Sequence, residues 1–162
     1  MSDKERNYDL QAEKQSQIDA PSLAYRPPEP KEAHRIGLIG CGGISESHLK
    51  AYQHAGFEVV AFADIERDRA VTRCAAFYPQ AQVFDNYRAL LQGADVDVVD
   101  VATHPEPRVE IIEAALCSGR HVLSQKPFVM DLATGLHLAS VAQTYGRILA
   151  VNQNGRWAPH LS

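Results

Sequence analysis

A glycine-rich loop that begins at residue 40 has the residue types needed to bind a phosphate group. It is Gly40–Ser45, with the sequence Gly-Cys-Gly-Gly-Ile-Ser. The first glycine permits a tight turn, the second lets the backbone approach a pyrophosphate, and the small Ser45 allows close packing and could cap a helix. Free N–H groups and the dipole at a helix start favour an anion. The loop therefore predicts a pyrophosphate site.

An acidic residue stands at the spacing that a dinucleotide site requires. Asp64 follows Gly40 by 24 residues, at the end of the next predicted strand. A carboxylate there accepts a hydrogen bond from a ribose hydroxyl and repels a 2′-phosphate, which favours NAD over NADP. Arg67 and Arg69 lie nearby, so NADP stays possible. The alternative interpretation is a structural glycine turn beside a solvated aspartate.

Strands and helices alternate around these residues. The predicted strands are 36–39, 58–63, 82–84, 96–102, 121–123 and 147–151, and the predicted helices are 45–55, 66–78, 86–92, 106–118 and 131–145. Parallel strands need crossover connections, and right-handed crossovers favour a doubly wound sheet. We therefore predict a three-layer α/β Rossmann fold with its ligand crevice at the carboxyl ends of the strands.

Composition limits the classes of partner. The net charge of −4 argues against nucleic acid or an anionic membrane. An apolar run near 20 residues, as a membrane span requires, is absent from the sequence. Three widely spaced cysteines predict neither a disulfide framework nor a metal site and fit a cytoplasmic address. Residues 1–34 are polar and rich in proline, which predicts a flexible arm; the alternative is an arm that folds onto a neighbouring subunit or onto the edge of the cofactor.

Several segments together resemble the N-terminal domain of the Gfo/Idh/MocA oxidoreductases. The resemblance runs from Arg35 to Pro159, and its motifs are Gly37–Ile44, Val98–Thr103, Ala114–Leu123, Gln125-Lys126-Pro127 and Asn154–Pro159. Gln125 stands where the family has glutamate, and Arg108 stands where many members have histidine. An amide can still bind a ribose hydroxyl, but it cannot balance the lysine charge.

The resemblance implies a catalytic role for Lys126. In that family the corresponding lysine lies beside the nicotinamide and the substrate, where a partly desolvated amine can accept or relay the hydroxyl proton of an alcohol. From the residues alone, Lys126 would be a solvated loop lysine. The predicted cofactor-binding residues are Gly40, Cys41, Gly42, Gly43, Ile44, Ser45, Asp64, Ile65, Arg69, Ala102, Thr103, His104, Pro105, Gln125, Lys126, Asn154 and Arg156.

Domain organisation follows from the same resemblance. We expect a Rossmann domain at 35–151 and, at 152–162, the start of a linker to a substrate domain that is missing from this chain, which would then be a fragment or a natural short product. The complete protein is expected to be a homo-oligomeric dehydrogenase of a sugar, cyclitol or related polyol, and the 162-residue chain alone to be inactive. The alternatives are an NAD-binding regulatory module without turnover and a plain structural domain.

Overall fold

Six parallel strands form the centre of residues 32–153, the part of the chain that the computed structural model describes. Their apolar, β-branched sequences are typical of strands buried on both faces of a sheet. The strands are β1 (Arg35–Ile39), β2 (Glu58–Ala63), β3 (Gln82–Phe84), β4 (Val98–Val101), β5 (His121–Gln125) and β6 (Leu149–Asn152).

The strand order is β3-β2-β1-β4-β5-β6, and every neighbouring pair is parallel. The chain moves outward from β1 to β3 and then returns to place β4 on the other side of β1. This reversal between β1 and β4 opens a crevice at the carboxyl ends of the strands. The predicted doubly wound α/β fold is confirmed.

Helices connect successive strands with the predicted alternation. They are α1 (Gly43–Ala55), α2 (Arg67–Phe77), α3 (Tyr87–Gly93), α4 (Pro105–Cys117) and α5 (Leu132–Thr144). Gly56 ends α1 in the left-handed conformation, with φ +72°, which glycine adopts without steric cost. Asn86 and Asp131 cap α3 and α5 with side-chain oxygens.

The apolar core is divided between the two faces of the sheet. Leu90, Ile112 and Leu138, from α3, α4 and α5, pack in the cluster on one face. Leu49 of α1 and Cys74 of α2 pack in the cluster on the other face. Burying a leucine side chain of this kind contributes about 1.5–3 kcal/mol. The three-layer arrangement follows, because each helix buries its apolar stripe against the sheet.

Strand β4 places one charged residue inside this core. Side chains alternate along a strand, so Val99 and Val101 enter the cluster beneath α3–α5. Asp100 therefore points to the opposite face, towards α1, and is fully buried.

No helix within residues 32–153 is long and apolar enough to cross a membrane. Most of the predicted arm, 1–31, and the predicted site residues Asn154 and Arg156 lie outside the described residues.

Candidate functional site

The glycine loop joins β1 to α1 at the switch point. Gly40 has φ +94°, and a Cβ atom there would lie 2.8 Å from the backbone nitrogen of Thr103. Its N–H donates to the carbonyl of Ala63 on β2. Within residues 32–153, a Cβ at Gly42 or Gly43 would meet no other atom within 4 Å. Glycine is thus required at position 40 by contacts within the protein. Gly42 and Gly43, in contrast, leave an open surface at the start of α1.

Ser45 has a different local role from the one predicted. Helix α1 begins at Gly43, two residues before the predicted start, and the N-cap residue is Gly42. Ser45 is therefore inside the first turn and does not cap the helix. Its hydroxyl donates to the carbonyl of Gly42 over 2.6 Å, and the side chain is fully buried. A small residue is required there because the helix packs directly on the sheet.

Asp64 connects the end of β2 to the glycine loop. One carboxylate oxygen accepts the N–H of Cys41 over 2.7 Å, and the other accepts the N–H of Glu66 over 2.8 Å. Each oxygen keeps further lone-pair capacity for a hydroxyl donor. The residue is 9% exposed, and its exposed part lines the crevice.

The crevice is a cavity of about 490 Å³, within the size range of small-molecule and cofactor sites. Segments that follow β1, β2, β4 and β5 line it. The predicted residues on its wall are Gly40, Gly42, Gly43, Ile44, Asp64, Ile65, Arg69, Ala102, Thr103, His104, Pro105, Gln125 and Lys126. The topology therefore brings together most of the set selected from the sequence. Pro107, Arg108 and Pro127 also line the wall and were not in that set.

Of the predicted residues that the structure describes, two lie off this wall. Cys41 lines an adjoining concavity of about 600 Å³, which shares Gly42, Gly43 and Arg69 with the crevice. Burial, followed by the nearby charge of Asp64, raises the pKa of the Cys41 thiol to about 12, so the sulfur stays protonated. Ser45 lies beneath the loop, outside both spaces.

Lys126 lies at the opposite end of the crevice from Asp64, directly after β5. Its side chain is exposed, and its peptide bond to Pro127 is cis. The preceding residue, Gln125, is only 5% exposed. The side-chain oxygen Oε1 of Gln125 accepts the backbone N–H of Lys126 over 2.6 Å. The amide of Gln125 therefore fixes the backbone from which the lysine extends.

Arg108 supports the same segment from beneath the crevice. It is 1% exposed, and its guanidinium donates to the carbonyl oxygens of Thr103, Gln125 and Pro127. Burial lowers the pKa of the guanidinium. Among the described residues, its Nε has no hydrogen-bond partner. Arg108 thus joins the loop after β4 to the loop after β5.

A buried polar network lies behind the same end of the crevice. His48 Nδ1 lies 2.7 Å from Asp100 Oδ2, and the hydroxyl of Tyr52 donates to that same oxygen over 2.7 Å. His48 Nε2 lies 3.0 Å from Gln125 Nε2 and 3.1 Å from Asn152 Nδ2. The network joins α1 to the ends of β5 and β6.

Asp100 sets the protonation behaviour of its two partners. Burial opposes a charged imidazole, but the hydrogen bond and charge of Asp100 outweigh it, so the pKa of His48 lies above its ordinary value of 6.5. Burial and the same carboxylate raise the pKa of Tyr52 far beyond its ordinary range. Tyr52 is therefore a hydroxyl donor under all ordinary conditions.

Sequence reasoning missed His48, Tyr52 and Asp100, although signals for them exist. His48 and Tyr52 are four residues apart and share one face of α1. Asp100 is a lone acid inside the apolar run 96–102. A carboxylate in a buried strand needs a partner, and the α1 face carries two hydrogen-bonding aromatic side chains.

Comparison with known proteins agrees with the fold and the loop. Residues 34–153 match the Gfo/Idh/MocA family, described as an oxidoreductase family with an NAD-binding Rossmann fold. A D-apiose dehydrogenase from Paraburkholderia graminis is 32% identical over 123 residues, which cover 75% of this chain and 32% of that protein. The chain thus spans about a third of the length of this curated relative.

Solved structures share the architecture. The WlbA dehydrogenase from Bordetella pertussis, in complex with NADH and UDP-GlcNAcA, matches with a TM-score of 0.74 and 26% identity over 80% of this chain and 38% of its own. A 3-ketoreductase from Actinomadura kijaniata, in complex with TDP-benzene and NADP, matches with a TM-score of 0.73 and 33% identity over 80% of this chain and 41% of its own. With the family match covering most of the chain and the glycine loop at the switch point, this protein belongs to the Gfo/Idh/MocA oxidoreductases through their NAD-binding Rossmann domain.

Proposed function

We propose that the crevice holds NAD(H) with its pyrophosphate on the glycine loop, and that the chain is the cofactor-binding part of a sugar or polyol dehydrogenase. The observation that carries this proposal is the open surface at Gly42 and Gly43, where an added Cβ atom would meet no other part of the described chain within 4 Å. Backbone N–H groups at the start of α1 then face an anion without steric obstruction. The residues present therefore fit the cofactor that the family uses.

The adenosine end lies at the turn after β2 in this proposal. Asp64 accepts a ribose hydroxyl with the lone pairs that its backbone donors leave free. Ile65 is 91% exposed beside it, and an adenine ring would cover this apolar surface. Arg69 forms an ion pair with Glu66 on the same turn and borders the crevice.

The nicotinamide end lies between the loops after β4 and β5. Bound NAD would supply the hydride acceptor for oxidation of an alcohol. Lys126 is exposed on the crevice wall, where its amine can hold the proton that the alcohol loses. Thr103 and Gln125 bound the same space. Asn154 and Arg156 complete the proposed set beyond the described residues.

The substrate class follows from relatives that act on apiose or bind a sugar nucleotide, by their names. We extend it to cyclitols and related polyols because, like sugars, they carry alcohol groups from which a nicotinamide can accept a hydride. The proposed organisation is an arm at 1–34, the Rossmann domain at 35–151 and, from 152, a connection to a substrate domain. The dehydrogenase would be a cytoplasmic homo-oligomer.

Gly42→Val tests where the pyrophosphate lies. A Cβ at Gly42 would meet no other atom of residues 32–153 within 4 Å, so we expect the fold to remain while the added methyl groups displace the phosphates. We expect NADH to bind at least about a hundredfold more weakly. Titration of NADH fluorescence measures the affinity, and thermal unfolding of the same sample confirms that the variant folds. A folded Gly42→Val chain with unchanged affinity would remove the loop from the proposed site.

Asp64 predicts a preference between the two nicotinamide cofactors. A 2′-phosphate beside this carboxylate would place like charges together in a partly buried site, so NADH should bind at least about tenfold more tightly than NADPH. Asp64→Ser should reduce that ratio towards one. The charge-matched control is Asp85→Asn, because Asp85 is exposed and pairs with Arg67. It should leave the ratio unchanged, and equal affinity for both cofactors in the unmodified chain would contradict the assignment.

A further inference from the structure

A directional chain of hydrogen bonds runs from Lys126 to Asp100. It passes from the Lys126 N–H to Gln125 Oε1, from Gln125 Nε2 to His48 Nε2, and from His48 Nδ1 to Asp100 Oδ2, over 2.6, 3.0 and 2.7 Å. A backbone N–H can only donate, and a carboxylate can only accept. Both ends of the chain therefore fix the direction of every bond between them.

The tautomer of His48 follows from this direction. Because Gln125 must present its oxygen to Lys126, its NH₂ group faces His48 Nε2. That nitrogen must then be an acceptor, and the single ring proton is on Nδ1, where Asp100 accepts it. The NH₂ group of Asn152 approaches the same acceptor nitrogen over 3.1 Å. The hydrogen bonds thus describe a neutral imidazole.

Among residues 32–153, few groups that can change charge surround His48. The titratable groups of this range that face its ring are Asp100 from β4 and Tyr52 from α1 itself. Strands β5 and β6 present the neutral amides of Gln125 and Asn152. Tyr52 stays protonated because burial and the charge of Asp100 raise its pKa.

We propose that His48 is a pH-sensitive positioning residue for Lys126: the neutral ring holds the Gln125 amide against the Lys126 backbone, and protonation of the ring releases it. A protonated Nε2 would be a donor facing the NH₂ group of Gln125, and two donors repel. Gln125 must then turn, and the Lys126 N–H loses its acceptor. The consequence for NADH binding rests on the proposed function, whereas the tautomer does not.

The sign of the pH effect separates this release from acid unfolding. The pKa of His48 is raised above 6.5 in the folded chain. The charge-dependent part of its pairing with Asp100 therefore stabilises the fold fully below about pH 6.5 and is lost as the pH rises through the folded-state pKa, whereas the Nδ1–H hydrogen bond of the neutral ring remains. Acidification through that range should loosen the Lys126 segment without a loss of folding stability from His48.

Nitrogen NMR of the unmodified chain tests the tautomer directly. With His48 assigned through backbone connectivities, we expect above its pKa a protonated Nδ1 and an unprotonated Nε2. A proton on Nε2 that persists to about pH 9 would overturn the proposal. This measurement needs neither cofactor nor variant, so its result stands even if NADH does not bind.

Gln125→Glu tests the direction of the hydrogen bonds between Lys126 and Asp100. A carboxylate has two acceptor oxygens and no N–H, so with one oxygen on Lys126 the other requires a proton on His48 Nε2. We expect the imidazole to be doubly protonated and its pKa to rise by at least about 1. An unchanged His48 pKa in this variant would overturn the inferred chain.

The pH dependence of NADH affinity tests the release. Affinity should fall about five- to tenfold as the pH decreases from about 8.5 through the His48 pKa. His48→Gln keeps an acceptor at the Nε2 position but cannot titrate in this range, so its profile should be flat. The matched control is His137→Gln, since His137 is an exposed histidine paired with Glu113. It should keep the unmodified profile.

The outcomes distinguish the two proposals. A flat profile in the unmodified chain, or a sloping one in His48→Gln, would overturn the release. Failure of NADH to bind at any pH would instead contradict the proposed function. The tautomer and Gln125→Glu results would still decide whether the hydrogen bonds from Lys126 to Asp100 run in the inferred direction.

Discussion

Replacing Gly40 with alanine should destabilise the chain by about 2–5 kcal/mol. Gly40 has φ +94°, a conformation that costs an L-residue about 1–2 kcal/mol. The added Cβ would also lie 2.8 Å from the nitrogen of Thr103 and 2.9 Å from the carbonyl carbon of Ala102. Both are backbone atoms of the neighbouring strand end, so relief requires movement of the sheet, at a further cost of about 1–3 kcal/mol or more. Denaturant unfolding monitored by circular dichroism measures the loss.

Gly56→Ala separates conformational strain from steric contact. Gly56 has φ +72° at the end of α1, and a Cβ there would meet none of the other residues that the structure describes within 4 Å. This control should therefore lose only the cost of the left-handed conformation, about 1–2 kcal/mol. If the two variants were equally stable, close approach of the loop to the end of β4 would not explain Gly40.

Much of this architecture is predictable because the sequence shows where strands and helices alternate and where several of them end. The alternation of apolar runs with helical stretches predicts the strand and helix pattern, and Gly56 marks the end of α1. The glycine loop and Asp64 lie at the carboxyl ends of neighbouring strands, so a parallel sheet brings them together whatever the details of packing. The position of the crevice is for this reason a topological consequence.

Contacts that depend on strand register and on side-chain length are harder to predict from the sequence. Asp100 meets His48 only because alternation along β4 turns it towards α1, and because α1 crosses the sheet at that height. Helix α1 begins two residues before the predicted start, so Ser45 lies in the first turn and not at the N-cap. Arg108 stood out in the sequence as a departure from the family pattern, but two of its three carbonyl acceptors, Gln125 and Pro127, belong to the loop after β5, which only the fold brings close to it.

Arg108 provides the counterpart of the His48 chain on the other side of Gln125. The chain from Asp100 holds the Gln125 side chain, while Arg108 holds the Gln125 carbonyl over 2.6 Å. Its guanidinium also donates to the carbonyl of Pro127, beyond Lys126, and to that of Thr103 in the loop that precedes α4. The backbone on both sides of the exposed Lys126 is thereby held in place, at Gln125 before it and at Pro127 after it.

Arg108→Met should lower both folding stability and cofactor affinity. Methionine keeps much of the unbranched shape but removes the donors to three carbonyl groups, each worth about 1 kcal/mol, so we expect a loss of about 3 kcal/mol in the free energy of unfolding. The loops after β4 and β5 would no longer be joined, and NADH should bind at least about tenfold more weakly at temperatures where the variant stays folded. Chemical denaturation and NADH fluorescence measure the two effects.

Arg88→Met is the matched control for loss of an arginine. Arg88 is on α3, and its exposed guanidinium pairs with Glu110 at the surface, where such pairs contribute about 0–1 kcal/mol. It should change stability by less than about 1 kcal/mol and leave NADH affinity unaltered. Arg108→Lys sharpens the comparison, because it retains the charge but replaces a planar fork of donors with a single point. If that variant matched the unmodified chain in both measurements, burial of a positive charge would matter and the triple contact would not. A loss close to that of Arg108→Met would show that the geometry of the guanidinium joins the two loops.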